Sequence, residues 1–250
     1  MENKETKGII AGRNAVMEAL KSGRNIDTLF IQKGERSGSI GVIIKKAKDK
    51  GITVKDSDIK KLDFLCGGAV HQGVVASAAI KEYSTIEDSL NLAKERGETP
   101  FFILCDELTD PQNLGAILRT AECSGVHGVI IPKRRSVSLS YAVGKASAGA
   151  VEYMPVIKVN NLASTIDLLK EKGVWVYAAD MGGQNWCDVD YTGGGVALVI
   201  GSEGQGVQRL VKEKSDFVVS LPMKGQINSL NASVACGILC YEIMKQRNSL

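Results

Sequence analysis

Residues 101–131 read FFILCDELTDPQNLGAILRTAECSGVHGVII, and the order of features in that stretch decides the fold class. FFILC is an apolar run without polar alternation, the pattern of a strand covered on both faces. Asp110 and Pro111 follow as good helix-start residues, and Leu114, Ile117, Leu118 and Ala121 recur at helical spacing. A second apolar run, VHGVII, completes a strand–helix–strand unit of the kind that builds parallel sheets.

The pattern repeats downstream. Apolar runs EYMPVIKV, VWVYAA, VALVI and DFVVSLP alternate with helical periods at 141–148, 162–172, 207–214 and 229–246, after a first one at 114–124. The expectation is an α/β fold in which residues 100–250 form a parallel sheet sandwiched by helices. Ligands in such sheets bind beyond the carboxyl ends of the strands, so the loops after Cys105, Ala179, Ile200 and Leu221 are the places to search. Upstream, helices at 14–21 and 40–50 alternate with strands at 28–32, 52–54 and 73–80, which predicts a small α/β domain over residues 1–82. Residues 83–99 are charged, with Ile86, Leu90 and Ala93 at helical spacing, and read as a linker.

Composition narrows the chemistry. With 44% hydrophobic and 24% charged residues, the 250-residue chain is ordinary globular material. No stretch reaches the roughly 18 apolar residues of a membrane span, and the N-terminus is polar, so a soluble, cytoplasmic protein without membrane partners is expected. The six cysteines are dispersed and form no CxxC pair, which argues for reduced, buried thiols. His71 and His127 are the only histidines, which disfavours a zinc hydrolase or a Ser-His-Asp enzyme and leaves no metal site in prospect. Net charge is +3, but residues 1–84 hold fifteen Lys and Arg against ten Asp and Glu, and the remainder sixteen against eighteen. The basic front suits a module that contacts a polyanion.

Three segments hold candidate site residues. In DPQNLGAILRTA, Asn113 and Arg119 lie off the apolar helix face; the helix is either simply capped with a solvated Arg119, or it fixes a guanidinium near a phosphate or carboxylate. GSEGQGV, after VALVI, lacks the order of a P-loop or dinucleotide motif, yet its glycines let backbone approach a ligand and Glu203 adds a carboxylate at the sheet edge. In LPMKGQINSLNASVACGILCYE, residues 221–242, Ser229, Asn231 and Ser233 crowd the mouth of an apolar helix. One polar residue suffices as a cap, so Ser229 is read as the cap and Asn231 as an excess polar group, hence a site candidate.

In this order these segments, with KASAGAVEYMPV between the first two, resemble the motifs of the SpoU/TrmH family of RNA 2′-O-ribose methyltransferases, of the SPOUT class. GRNAV at 12–16 and HQGVVA at 71–76 are similar to the ribosomal-protein-L30-like domain that precedes the catalytic domain in the 23S rRNA guanosine methyltransferases. The resemblance implies a trefoil-knotted sheet, S-adenosylmethionine as methyl donor, no metal, and a homodimer. It carries over Gly201, Leu221, Met223 and Leu230 as cofactor-lining residues and Asn113, Arg119, Glu203, Ser229 and Asn231 as the active-site set. RNA, with rRNA favoured over tRNA and DNA not expected, is the implied partner, with Arg13, Asn14 and Gln72 as contacts. An RNA-binding assembly factor without catalysis is the alternative, although such a protein is expected to have lost Arg119, Asn231 or the Gly201 turn.

Overall fold

The structure, a computed structural model, describes residues 8–248 except Ser22, Ser37, Ala79 and Ile80, and leaves aside the side chains of Glu18, Tyr141 and Asn248. The chain divides into two compact units, one reaching Glu82 and taking in Ser138–Tyr141, the other comprising Tyr83–Val137 and Ala142–Leu250.

The first unit contains β1 (Ile9–Ala11), α1 (Arg13–Lys21), β2 (Ile26–Gln32), α2 (Gly38–Asp49), β3 (Thr53–Ser57), α3 (Ile59–Cys66) and β4 (Val74–Ala78). Its sheet has the order β1-β4-β2-β3, with β2 and β3 parallel and β4 antiparallel to both neighbours. Val16, Leu20, Leu29, Ile31, Ile40 and Ile43 form its core. β1 and α3 escaped the sequence pattern. β1 is only three residues long; α3 has two buried side chains, and its caps define it better than its periodicity does. Asp58 accepts the Lys61 N–H at its start, and Gly67 ends it at φ 59°. The last two residues of the strand expected at 73–80 lie outside the described residues.

The second unit starts with α4 (Ile86–Arg96), then β5 (Phe101–Cys105), α5 (Pro111–Cys123), β6 (Gly128–Pro132), α6 (Tyr141–Ala146) and β7 (Val156–Val159). α7 (Leu162–Glu171), β8 (Val174–Asn185), β9 (Gly195–Ile200), α8 (Arg209–Lys214), β10 (Phe217–Ser220) and α9 (Ala232–Asn248) complete it. All six strands run parallel in the order β10-β8-β9-β5-β6-β7. Phe102, Leu104, Ile130, Val176 and Val199 pack on one face against Leu162, Ile166 and Leu169 of α7. Among the described residues no helix is long and apolar enough to cross a membrane.

Residues 83–99 do not form a free linker. Thr85 and Asp88 make a reciprocal capping box, with Thr85 Oγ1 accepting from Asp88 N at 3.1 Å and Asp88 Oδ2 from Thr85 N at 2.7 Å. Ile86 and Leu90 of the resulting helix pack on the core of the second unit, because the apolar spacing there is a buried face. The sheet has one irregular edge. β10 pairs with Tyr177 and Ala178 of β8, then with Gln184 and Asn185, so residues 179–183 loop out at the carboxyl end.

Candidate active site

Three separate stretches of the second unit meet at this edge. α5 is capped by Asp110, whose Oδ1 accepts the Gln112 N–H at 3.0 Å, and its first turn carries Asn113, which is buried. The turn after β9 is closed on itself: Ser202 and Gly206 exchange both backbone N–H···O bonds, at 3.2 and 3.0 Å. Gly201 is required there by close approach, because a Cβ would lie 2.1 Å from the Gly206 carbonyl carbon. That turn presents Glu203. The third stretch leads into α9 and presents Asn231.

Their side chains interlock. Asn113 Nδ2 donates to Glu203 Oε1 at 3.0 Å, and Asn231 Nδ2 lies 2.6 Å from the same oxygen and 2.9 Å from Asn113 Oδ1. The expectation that Ser229 caps α9 is corrected by the geometry. Asn231 Oδ1 accepts the N–H groups of Ser233 and Val234, and its carbonyl accepts from Ala235, which makes Asn231 the cap. An amide has an acceptor and two donors, so the residue read as surplus fills both roles.

Beside this cluster lies a cavity of about 530 Å³. Gly201, Glu203, Leu221, Met223, Ser229, Leu230 and Asn231 all line it. Its walls come from the exits of β8, β9 and β10, where backbone polar groups are available, and Leu221, Met223 and Leu230 add apolar surface. The ionisable side chains in the lining are two carboxylates, Glu203 and Asp180. Sequence reading missed Asp180, although it sits directly after the run VWVYAA. Its Oδ1 accepts the Met181 N–H at 2.6 Å and its Oδ2 is 3.1 Å from Lys212 Nζ.

Asp106 was also missed. It follows FFILC without a break, is 3% exposed, and accepts the Gln208 N–H at 2.7 Å, which ties the exit of β5 to the end of the GSEGQGV turn. Burial raises its carboxyl pKa above the ordinary value, against the lowering effect of that hydrogen bond. A polar residue ending an apolar strand was the available signal in both cases.

Two sets of predicted residues are placed differently. Arg119 is exposed on α5, outside the cavity lining, and makes no side-chain hydrogen bond or ion pair among the described residues. In the first unit, Arg13 donates its backbone N–H to Gln72 Oε1 at 3.2 Å and its Nε to the Gln72 carbonyl at 2.9 Å, so these two brace one corner while Asn14 is exposed. Among the described residues no group of three or more His, Cys, Asp or Glu is placed to hold a metal ion.

A parallel sheet whose irregular carboxyl edge builds such a cleft defines a class, and the comparisons name it. The chain belongs to the SpoU rRNA methylase family, which matches residues 100–241, and residues 9–84 match the RNA 2′-O ribose methyltransferase substrate-binding family. It is an RNA methyltransferase of the SpoU/TrmH type. A Bacillus subtilis (strain 168) protein named for the TrmH family of tRNA/rRNA methyltransferases, YacO, is 48% identical over 96% of both chains. The crystal structure of an AdoMet-bound rRNA methyltransferase from Sinorhizobium meliloti matches at 25% identity and a TM-score of 0.60, over 98% of this chain and 89% of that one. The SpoU methyltransferase AviRb from Streptomyces viridochromogenes, at 24% identity and a TM-score of 0.59 over 100% and 95%, shares the fold.

Proposed function

We propose that the chain binds S-adenosylmethionine in the 530 Å³ cavity and methylates the ribose 2′-hydroxyl of a guanosine in 23S rRNA, in the cytoplasm. The observation that carries this reading is the Asn113–Glu203–Asn231 cluster at the edge of a cavity lined by Leu221, Met223 and Leu230. The cavity suits such a cofactor on three counts. Strand-end backbone groups can hydrogen-bond an adenine, Leu and Met side chains can cover its faces, and Glu203, a carboxylate with no cationic partner in the described lining, favours a ligand that carries a positive charge.

The bound cofactor supplies an electrophilic methyl on a sulfonium; the chain must align a ribose oxygen with it and stabilise the charge that develops on that oxygen. Glu203 Oε1 already accepts two amide N–H groups, so it holds Asn113 and Asn231 in register rather than serving as principal base. Ser229 and Asn231, both in the lining, orient ribose and cofactor. Arg119 acts as a phosphate clamp whose charge favours the alkoxide, because a guanidinium with a pKa above about 12 is a poor base.

The active form in this reading is a homodimer. Arg119 does not line the cavity of its own chain, and α9 exposes Val234, Ile238 and Tyr241 on one stripe beside α5. A second copy covering that stripe would bring its Arg119 to this cavity. The first unit, with its excess of basic residues, supplies RNA affinity.

The test is incubation with labelled S-adenosylmethionine and either rRNA or tRNA transcripts, followed by mass-spectrometric mapping of 2′-O-methyl nucleosides. Methyl incorporation at one rRNA guanosine is expected. Incorporation into tRNA alone would move the substrate, and binding of both ligands without transfer would leave only a scaffold.

A further inference from the structure

Strand order places a second feature next to the cluster. The cavity is walled from the exits of β10, β8 and β9; the next exit is that of β5, which leads to Asn113; the next is that of β6. From β6 the chain continues as Lys133, Arg134 and Arg135, all exposed.

This loop is held in place. Arg135 Nη1 is 3.1 Å from Glu107 Oε1, and Val137 N donates to the Leu108 carbonyl at 2.7 Å, so the loop is stapled to the segment that leads into α5. Both partners of the ion pair sit in the left-handed region, Glu107 at φ 55° and Arg135 at φ 56°. Side chains resist that backbone conformation, and it persists where surrounding bonds over-determine it. Lys133 N is also tied, donating to the Val159 carbonyl at 2.8 Å. Arg135 is thus engaged, whereas the side chains of Lys133 and Arg134 make no hydrogen bond or ion pair among the described residues.

We propose that Lys133 and Arg134 form a phosphate-binding edge of the catalytic unit, seating the RNA backbone beside the nucleotide to be methylated, with the Arg135–Glu107 pair as the strut that fixes them. This rests on the reading of the cavity as the cofactor site. With the cofactor over β8, β9 and β10, the substrate strand has the β5–β6 side left to it. Two free cations on a braced loop, with no apolar anchor among residues 133–136, suit phosphate oxygens better than a protein surface.

The experiment compares the wild-type chain with the double variant Lys133→Glu/Arg134→Glu. It uses a fluorescent 23S rRNA transcript as probe, across a KCl series, together with calorimetric titration of S-adenosylmethionine. Expected are unchanged cofactor binding and thermal melting, at least a tenfold loss of RNA affinity at low salt, and a salt slope reduced by about one for each lost phosphate contact. The neutral variant Lys133→Gln/Arg134→Gln should fall between. RNA affinity and slope equal to wild type would overturn the proposal while leaving the cofactor site intact. A wild-type protein that bound no S-adenosylmethionine would instead remove the reading on which it stands.

Discussion

Asn231 Nδ2 lies 2.6 Å from Glu203 Oε1, while the other end of the same amide caps α9. Helix and site therefore share one side chain, and a substitution can separate its two duties. Asn231→Asp keeps a good capping acceptor but replaces the donor with a second carboxylate facing Glu203. Unfolding free energy in urea should change by less than about 2 kcal/mol, the upper range for loss of a cap. Methyl incorporation should fall by two orders of magnitude or more, since the Asn113–Glu203–Asn231 register is lost. Activity within a factor of three of wild type would mean that the cluster is merely structural.

Gly201 offers a test of the turn itself. A Cβ there would meet the Gly206 carbonyl carbon at 2.1 Å and its oxygen at 2.3 Å, so Gly201→Ala has to displace backbone. Gly204→Ala is the control, because a Cβ at Gly204 meets nothing within 4 Å and only the positive φ of 87° opposes it, at a cost of about 1–2 kcal/mol. Calorimetry should show cofactor affinity reduced at least tenfold in Gly201→Ala and within threefold of wild type in Gly204→Ala. Equal losses would show that the close approach does not shape the cavity.

The parallel sheet was legible because FFILC, VALVI and their relatives are buried on both faces, which erases alternation and leaves a continuous apolar signal. Glu203 and Asn231 stood out as polar residues where an apolar run ends or an apolar helix begins. Asp106 and Asp180 carried the same signal more faintly. The looping-out of residues 179–183 between two pairings of β8 with β10 had none, since register is a property of two distant segments and leaves no mark on either alone. The division of labour within Asn231 was hidden for a related reason: Ser229 and Asn231 are both good caps, and only the fold decides which one begins the helix.

His127 makes stability depend on pH. It is 1% exposed; its Nδ1 accepts the Phe101 N–H at 3.0 Å, so the proton sits on Nε2, which faces Glu98 Oε2 at 3.0 Å. Burial is the main cause that lowers its pKa below the ordinary 6.5, with Glu98 opposing it. On acidification below about 6.5 the unfolded chain takes up a proton that the folded chain refuses, so this group's contribution is full above that value and declines beneath it. The decline reaches at most about 1.4 kcal/mol per pH unit. Urea midpoints of the wild type should fall between pH 7.5 and 5.5, and His127→Gln should show a flatter dependence over that range. Parallel curves for the two proteins would assign the acid lability elsewhere.

In the proposed homodimer, the stripe on α9 is the surface whose covering brings Arg119 to a cavity. Val234, Ile238 and Tyr241 are 50%, 36% and 49% exposed at one-turn spacing, on the helix that Asn231 begins. Isolated exposed apolar residues are common, but a run of them on one helix face marks a surface made to be covered. Ile238→Asp should yield monomers in sedimentation velocity that still bind S-adenosylmethionine, because the substituted side chain lies outside the cavity. Those monomers should transfer no methyl if each site needs the Arg119 of the other copy. Mixing an Arg119→Ala chain with a chain inactivated by Asn231→Asp then distinguishes the two arrangements. If Arg119 crosses to the partner's cavity, the heterodimer has one site built from an intact cavity and an intact arginine, and part of the activity returns. If Arg119 serves its own cavity, every site in the mixture lacks one of the two residues, and the mixture is as inactive as its components.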